Sequence, residues 1–181
     1  MCSIVKIAFA FLLLLSSLVA LASDVPPVWI FGKYENKHTI YTNCYSEAQD
    51  APCGCGNGKL ADENGFCYSD VTDVLLINRY QGKYDSLSVE LRSLGANAHA
   101  CGYEGTGNWE KDADRATANS DINNFDDNCS IALIFKKNLV YLVTRTERSC
   151  RDFCGMRTGM DGIIFKKSLT NQSSGRSKVH R

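Results

Sequence analysis

The sequence predicts an all-β fold, mainly antiparallel, in the form of a small barrel or sandwich held together by disulfides. Strand signals outnumber helix signals, and short apolar runs alternate with turn residues along most of the chain. Eight cysteines, an even number, lie after residue 22. Regularly spaced short strands with turns between them are typical of antiparallel barrels and sandwiches.

Residues 1–22 have the features of a secretory signal peptide. Lys6 supplies a positive start, residues 7–15 are apolar and uncharged, and residues 20–22 have the small-x-small pattern of a cleavage site. The apolar segment is shorter than the ~20 residues that a stable membrane helix needs, and no other run is longer. We therefore expect a secreted or periplasmic protein with no stable membrane insertion, from which Cys2 is removed.

Alternation of polar and apolar residues gives the first strand prediction. Residues 86–92 alternate without a break, and their apolar members are expected to face the core. After a turn at Gly95 the alternation resumes, which predicts a second strand over residues 96–103. Residues 70–79 fit either a strand or a capped helix. Further strands are predicted at residues 28–31, 39–42, 74–80, 115–119 and 163–166.

The clearest hairpin is predicted near the carboxyl-terminal end. Residues 131–135 and 139–143 are rich in β-branched and other apolar side chains, and a short polar turn separates them. Asn138 in that turn is available for a positive φ angle.

The eight remaining cysteines fall into two groups of four, which we expect to pair within each group. Cys53 and Cys55 are too close to pair with one another, so they are predicted to take Cys44 and Cys67 in either order. In the second group the favoured pairing is Cys129–Cys150 with Cys101–Cys154, because the first bridge would staple the ends of the hairpin. Other pairings remain open. A thiol-based metal site is the competing interpretation, but exported thiols tend to oxidise.

Residues 23–167 are predicted to form one disulfide-stapled β domain, followed by a disordered basic tail over residues 168–181. Formal charge is balanced overall. Residues 136–181 carry eleven Lys and Arg against three acids, and residues 104–127 carry seven acids against two bases. We expect the two segments to attract each other, and no basic block is long enough to indicate nucleic acid.

The sequence predicts no catalytic residue, no cofactor site and no metal site. The three histidines, His38, His99 and His180, share no metal-ligand spacing, and no serine has a nucleophile-elbow context. The acid-rich segment lacks the central glycine and terminal glutamate of a calcium loop.

The cysteine spacing of residues 101–167 is similar to that of known exported proteins. Cys101 precedes a polar segment, Cys129 opens the hairpin, three residues separate Cys150 from Cys154, and residues 161–162 lead into a last strand. This pattern resembles the cysteine-stapled β-rich end of small exported proteobacterial proteins, some of the lysozyme-inhibitor type. The resemblance implies a β fold and carries no catalytic motif. Residues 23–100 resemble no family that we can name.

Two functions from different classes fit these observations. The first is an exported non-enzymatic binding module, in its narrower form an inhibitor of a cell-wall or host enzyme, whose partner is another protein or a cell-envelope component. Its expected contact loop is residues 102–109, presenting Tyr103, Glu104 and Trp109. The competing interpretation packs both aromatic side chains into the core.

The alternative function is a secreted hydrolase that uses acids of residues 104–127. A deep pocket with two converging carboxylates would favour this function. A filled barrel with a protruding loop would favour the binding module.

Overall fold

The computed structural model describes residues 25–44, 53–55, 58–81, 83–120, 129–155 and 159–168. The predicted signal peptide, the acids at positions 121–127 and the predicted tail beyond residue 168 lie outside the described residues.

Eight antiparallel strands form a closed barrel in which each strand pairs with the next one along the chain. The barrel closes where β8 pairs with β1. The sequence prediction of a mainly antiparallel β fold is therefore confirmed, and the architecture is a barrel, not a sandwich. The strands are β1 Gly32–Asn43, β2 Phe66–Arg79, β3 Ser86–Leu94, β4 Ala100–Glu110, β5 Arg115–Ser120, β6 Ser130–Lys136, β7 Leu139–Thr144 and β8 Ile164–Lys167.

The helical elements of the described residues are short. Single 3₁₀ turns are found at Val28–Ile30, Ala96–Ala98 and Lys111–Ala113. The helix α1, Glu147–Cys150, is continued by a 3₁₀ turn at Arg151–Phe153. None of the helices in the described part of the chain is long and apolar enough to cross a membrane.

Apolar side chains occupy the barrel interior. Leu87, Val89 and Leu91 of β3 are buried, as their alternation predicted. They belong to one continuous cluster that includes the fully buried rings of Tyr34 and Phe165. An eight-stranded barrel has an interior about wide enough for side chains to fill, which agrees with this packing.

Two strands approach unusually closely on one side of the barrel. A Cβ atom built on Gly107 would lie 2.3 Å from the Thr117 carbonyl oxygen, and one on Gly105 would lie 2.4 Å from the Asn119 carbonyl oxygen. Because no side chain fits at either position, the two glycines allow β4 and β5 to pack at this distance.

The strand predictions were wrong at two places. Residues 28–30 form a 3₁₀ turn instead of a strand, and the buried Ile30 there accepts a hydrogen bond from the Tyr34 hydroxyl at 2.8 Å. Residues 96–98 also form a 3₁₀ turn, in which Asn97 and Ala98 both have φ of 55°. Left-handed backbone cannot continue a strand, so β4 begins only at Ala100.

The structure decides between strand and helix at residues 70–79, and it shows which residue of the predicted hairpin turn has a positive φ angle. Residues 70–79 lie in β2, so the strand interpretation is confirmed and the helix is excluded. The predicted hairpin is formed by β6 and β7. Its positive φ is taken by Lys137, at 53°, and not by Asn138.

The cysteines pair within the two predicted groups, and the favoured arrangement of the second group is confirmed. The bridges are Cys44–Cys53, Cys55–Cys67, Cys101–Cys154 and Cys129–Cys150, with Cα–Cα distances of 5.9, 5.6, 4.1 and 4.6 Å. The last bridge joins the residue before β6 to the end of α1, which follows β7, so it staples the two ends of the hairpin.

Candidate functional site

The segment predicted to be a contact loop is the middle of β4. Tyr103 and Trp109 point into the barrel and are only 1% and 7% exposed, whereas Glu104 is exposed on the outer face. The ring of Trp109 lies 5.5 Å from that of Phe135. The loop prediction was wrong because Gly105 and Gly107 serve close strand packing, and two of the three expected contact residues lie in the core.

The acids of the hydrolase hypothesis are only partly within the described residues. Glu110 accepts hydrogen bonds from the Arg115 guanidinium and, at 2.6 Å, from the Thr117 hydroxyl. These hydrogen bonds hold the pKa of Glu110 below its usual value. A glycosidase general acid needs a raised pKa, so Glu110 is unsuited to that role. No cluster of three or more metal-ligating side chains occurs among the described residues.

β1 and β2 continue as a two-stranded arm beyond the residues that pair with β8 and β3 in the barrel wall. β1 pairs with β8 only at Tyr34 and Glu35, and β2 pairs with β3 only from Val74 onwards. Residues 36–43 and 66–73, which we call the hairpin arm, pair only with each other in the described sheet. Eight residues in each strand extend over about 26 Å at ~3.3 Å per residue.

Two disulfides staple the far end of the hairpin arm. The Cys44–Cys53 and Cys55–Cys67 bridges tie the connecting loop to both strands. The Asp62 carboxylate accepts hydrogen bonds from the backbone N–H of Phe66 at 2.8 Å and from the Tyr68 hydroxyl at 3.0 Å. The first of these contributes most to lowering the pKa of Asp62. The described part of the loop is therefore held to the arm by covalent and polar contacts.

Aromatic side chains are exposed on the outer face of the hairpin arm. Tyr41 and Tyr68 are directly opposite each other in the β1–β2 ladder and are 45% and 52% exposed. The Phe66 ring makes an edge contact with Tyr41 at 5.2 Å. We call these three residues the arm patch. The Asp62 hydrogen bond raises the pKa of Tyr68, which keeps its hydroxyl neutral.

The inner face of the hairpin arm is joined to the barrel by a buried carboxylate. Asp73, whose side chain is 2% exposed, accepts hydrogen bonds from Leu94 N–H at 2.9 Å and from the Asn36 amide at 3.1 Å. His38 Nε2 lies 3.0 Å from the second carboxylate oxygen. A further brace comes from Asn97, whose side-chain oxygen accepts the backbone N–H of Asn43 at 2.8 Å.

A pocket opens at the end of the barrel where β1 begins and β8 ends. Its volume is about 570 Å³. We call it the end pocket, and it is lined by Trp29, Asp114, Phe135, Lys136, Lys137, Asn138 and Lys167. These residues come from four separate segments of the sequence, and no local motif indicated the pocket.

No protein-family model, curated protein or solved structure matches this chain. The spacing resemblance of residues 101–167 therefore stays a prediction, and the functional argument rests on the geometry alone.

Proposed function

We propose that this protein is an exported, non-enzymatic binding module that engages another protein through the hairpin arm. The observation that carries the proposal is a disulfide-stapled arm whose outer face exposes Tyr41 and Tyr68. Tyrosine contributes a large contact area at a small conformational cost, and it is enriched at binding hot spots. Two disulfides preorganise the arm, which reduces the entropy lost on association.

The barrel interior supports the same choice. Rings such as those of Tyr34, Tyr103 and Phe165 occupy it, so the recognition surface is expected on the outside of the barrel. Four disulfides suit an oxidising compartment, which supports export to the cell surface, periplasm or surroundings.

The narrower form of the proposal is an inhibitor of a cell-wall or host enzyme. The outer face of an arm about 26 Å long could lie in a concave cleft, and substrate clefts are concave surfaces that enzymes offer. The arm patch would supply the aromatic anchors within that cleft, and the barrel would block its rim.

The proposal is tested by affinity capture from the source organism's envelope and from host fluid. Three immobilised proteins are compared: the unmodified chain, the Tyr41→Ser/Tyr68→Ser variant and a Tyr84→Ser control. Tyr84 is 84% exposed in the connection between β2 and β3, away from the arm. We expect one protein to be retained by the unmodified chain and the control, and to be lost from the arm variant.

Equal retention by all three proteins, or no specific retention from either source, would contradict the proposal. Circular dichroism of each variant confirms that the barrel is intact. Turnover of a cell-wall glycan by the unmodified chain would establish the hydrolase alternative instead.

A further inference from the structure

We propose that the end pocket is a second, independent binding site, which takes a small anion with a flat aromatic body. It goes beyond the function proposed for the hairpin arm, because the pocket and the arm share no residue. Small-ligand pockets commonly have volumes of roughly 300–1,000 Å³, and they combine apolar walls with a few polar groups. The end pocket has a volume of about 570 Å³, and its lining combines aromatic side chains with charged and polar ones.

The apolar wall is formed by aromatic rings that hold one another in place. Trp29, carried by the 3₁₀ turn before β1, makes edge contacts with Trp109 at 6.5 Å and with Phe135 at 5.9 Å. Although it has both contacts, Trp29 remains 43% exposed and faces the pocket. An aromatic ligand ring would extend this cluster by one further edge-to-face or offset contact.

Backbone hydrogen bonds fix the segments around the pocket. Phe135 N–H donates to the Asp114 carbonyl oxygen at 2.9 Å, and Lys167 N–H donates to the Asn138 carbonyl oxygen at 2.7 Å. The Lys167 ammonium group also donates to the carbonyl oxygen of Trp29. The pocket is therefore formed before a ligand arrives, and binding need not order it.

The charge of the lining selects an anion. The lining includes three lysines, Lys136, Lys137 and Lys167, and one acidic residue, Asp114. Within the described part of the chain, none of the three lysines forms an ion pair with a carboxylate. An ammonium group is a compact charge without the fixed fork of donors that arginine has. The site is therefore expected to recognise the negative charge of a ligand and not the geometry of one particular acid group. A carboxylate and a sulfonate are both expected to bind.

Two of these ammonium groups contact aromatic rings that are not part of the pocket lining. Lys136 Nζ lies 5.2 Å from the centre of the Tyr141 ring, and Lys167 Nζ lies 5.6 Å from that of Tyr34. Such contacts limit the positions open to long side chains.

The experiment is calorimetric titration of the full exported chain with 2-naphthoate and with its neutral counterpart, 2-naphthamide. The two probes share the aromatic body and differ in charge. We expect 2-naphthoate to bind at least about tenfold more tightly than 2-naphthamide. Equal affinities, or no binding of 2-naphthoate at millimolar concentration, would overturn the proposal.

Variants locate the binding. Lys136→Gln/Lys137→Gln is expected to weaken 2-naphthoate about tenfold or more, and Trp29→Leu to weaken both probes. The matched control is Lys33→Gln/Lys166→Gln, which removes the same charge from side chains that do not line the pocket. Equal weakening by both lysine pairs would overturn the pocket assignment in favour of general charge attraction. Thermal unfolding of each variant identifies any loss that comes from misfolding.

Discussion

The Asp73 carboxylate accepts the backbone N–H of Leu94 at 2.9 Å, at the point where β2 leaves the barrel wall and becomes part of the hairpin arm. The same side chain is buried and also accepts the amide of Asn36 from β1. One carboxylate therefore ties the last residue of β3 to both strands of the arm. Buried charges persist only where such partners replace water, so this contact is expected to set the direction of the arm.

Replacing Asp73 is expected to loosen the hairpin arm. Asp73→Ala leaves the Leu94 N–H and the Asn36 amide without their acceptor, which lowers the free energy of unfolding by about 1–3 kcal/mol. The control is Asp70→Ala, because Asp70 is exposed and accepts a hydrogen bond from the Thr39 hydroxyl on the outer face. Its effect should stay within about 0.5 kcal/mol. Equal effects in urea unfolding would contradict the anchoring role of Asp73.

Trp109 and Glu104 are expected to differ sharply because they lie on opposite faces of β4. Trp109→Ala removes a ring from the aromatic cluster and should lower the free energy of unfolding by about 3–5 kcal/mol. Glu104→Ala changes a solvated side chain and should alter it by less than about 0.5 kcal/mol. Chemical denaturation measures both values. A stable Trp109→Ala protein would show that the ring is not part of the core.

The close approach of β4 and β5 is tested by adding one methyl group. The Cβ atom of Gly107→Ala would meet the Thr117 carbonyl oxygen at 2.3 Å and the Ala118 Cα at 2.7 Å, so backbone must move. We expect a loss of about 1–3 kcal/mol or more. Gly102→Ala, on the outer face of the same strand, meets nothing within 4 Å and serves as the control. Similar melting temperatures for the two variants would refute this packing.

Glu110 is expected to stabilise the fold in a pH-dependent way. Its pKa is lowered in the folded protein, chiefly by the Arg115 hydrogen bond, from an ordinary value of 4.5. The stabilisation is therefore complete above that ordinary value and is lost as the pH falls through the lowered one. The free energies of unfolding of the unmodified chain and of Glu110→Gln should differ most near neutral pH and converge in acid. A difference that stays constant as the pH falls would contradict the ion pair.

The sequence allowed much of the barrel to be predicted, because its strands follow local patterns. The alternation of residues 86–92 and the apolar runs of β6 and β7 each reflect one buried face, which a single strand displays by itself. Part of the disulfide pairing was accessible as well. The reach of a cystine bridge excludes a bond between Cys53 and Cys55, but it left open which of them pairs with Cys44.

The contact surface could not be predicted in the same way. The glycines of residues 102–109 suggested a loop, but two of them are required by the neighbouring strand β5, which local sequence does not reveal. The hairpin arm was also missed. The predictions covered only residues 39–42 of its first strand and residues 70–73 of its second, and they did not pair the two. Paired strands that lack a sheet neighbour on either side bury little, so their alternation is weak. Tyr41 and Tyr68, which lie near Cys44 and Cys67 in the sequence, were the available signal.

Hydrogen exchange in the presence of the captured partner tests the central claim most directly. With the partner bound, amide exchange is expected to slow in peptides that cover residues 36–43 and 66–73, and to stay unchanged in peptides of β4. That result would place the interface on the hairpin arm. Slowed exchange elsewhere on the barrel, with none in the hairpin arm, would contradict the claim that the arm is the binding element.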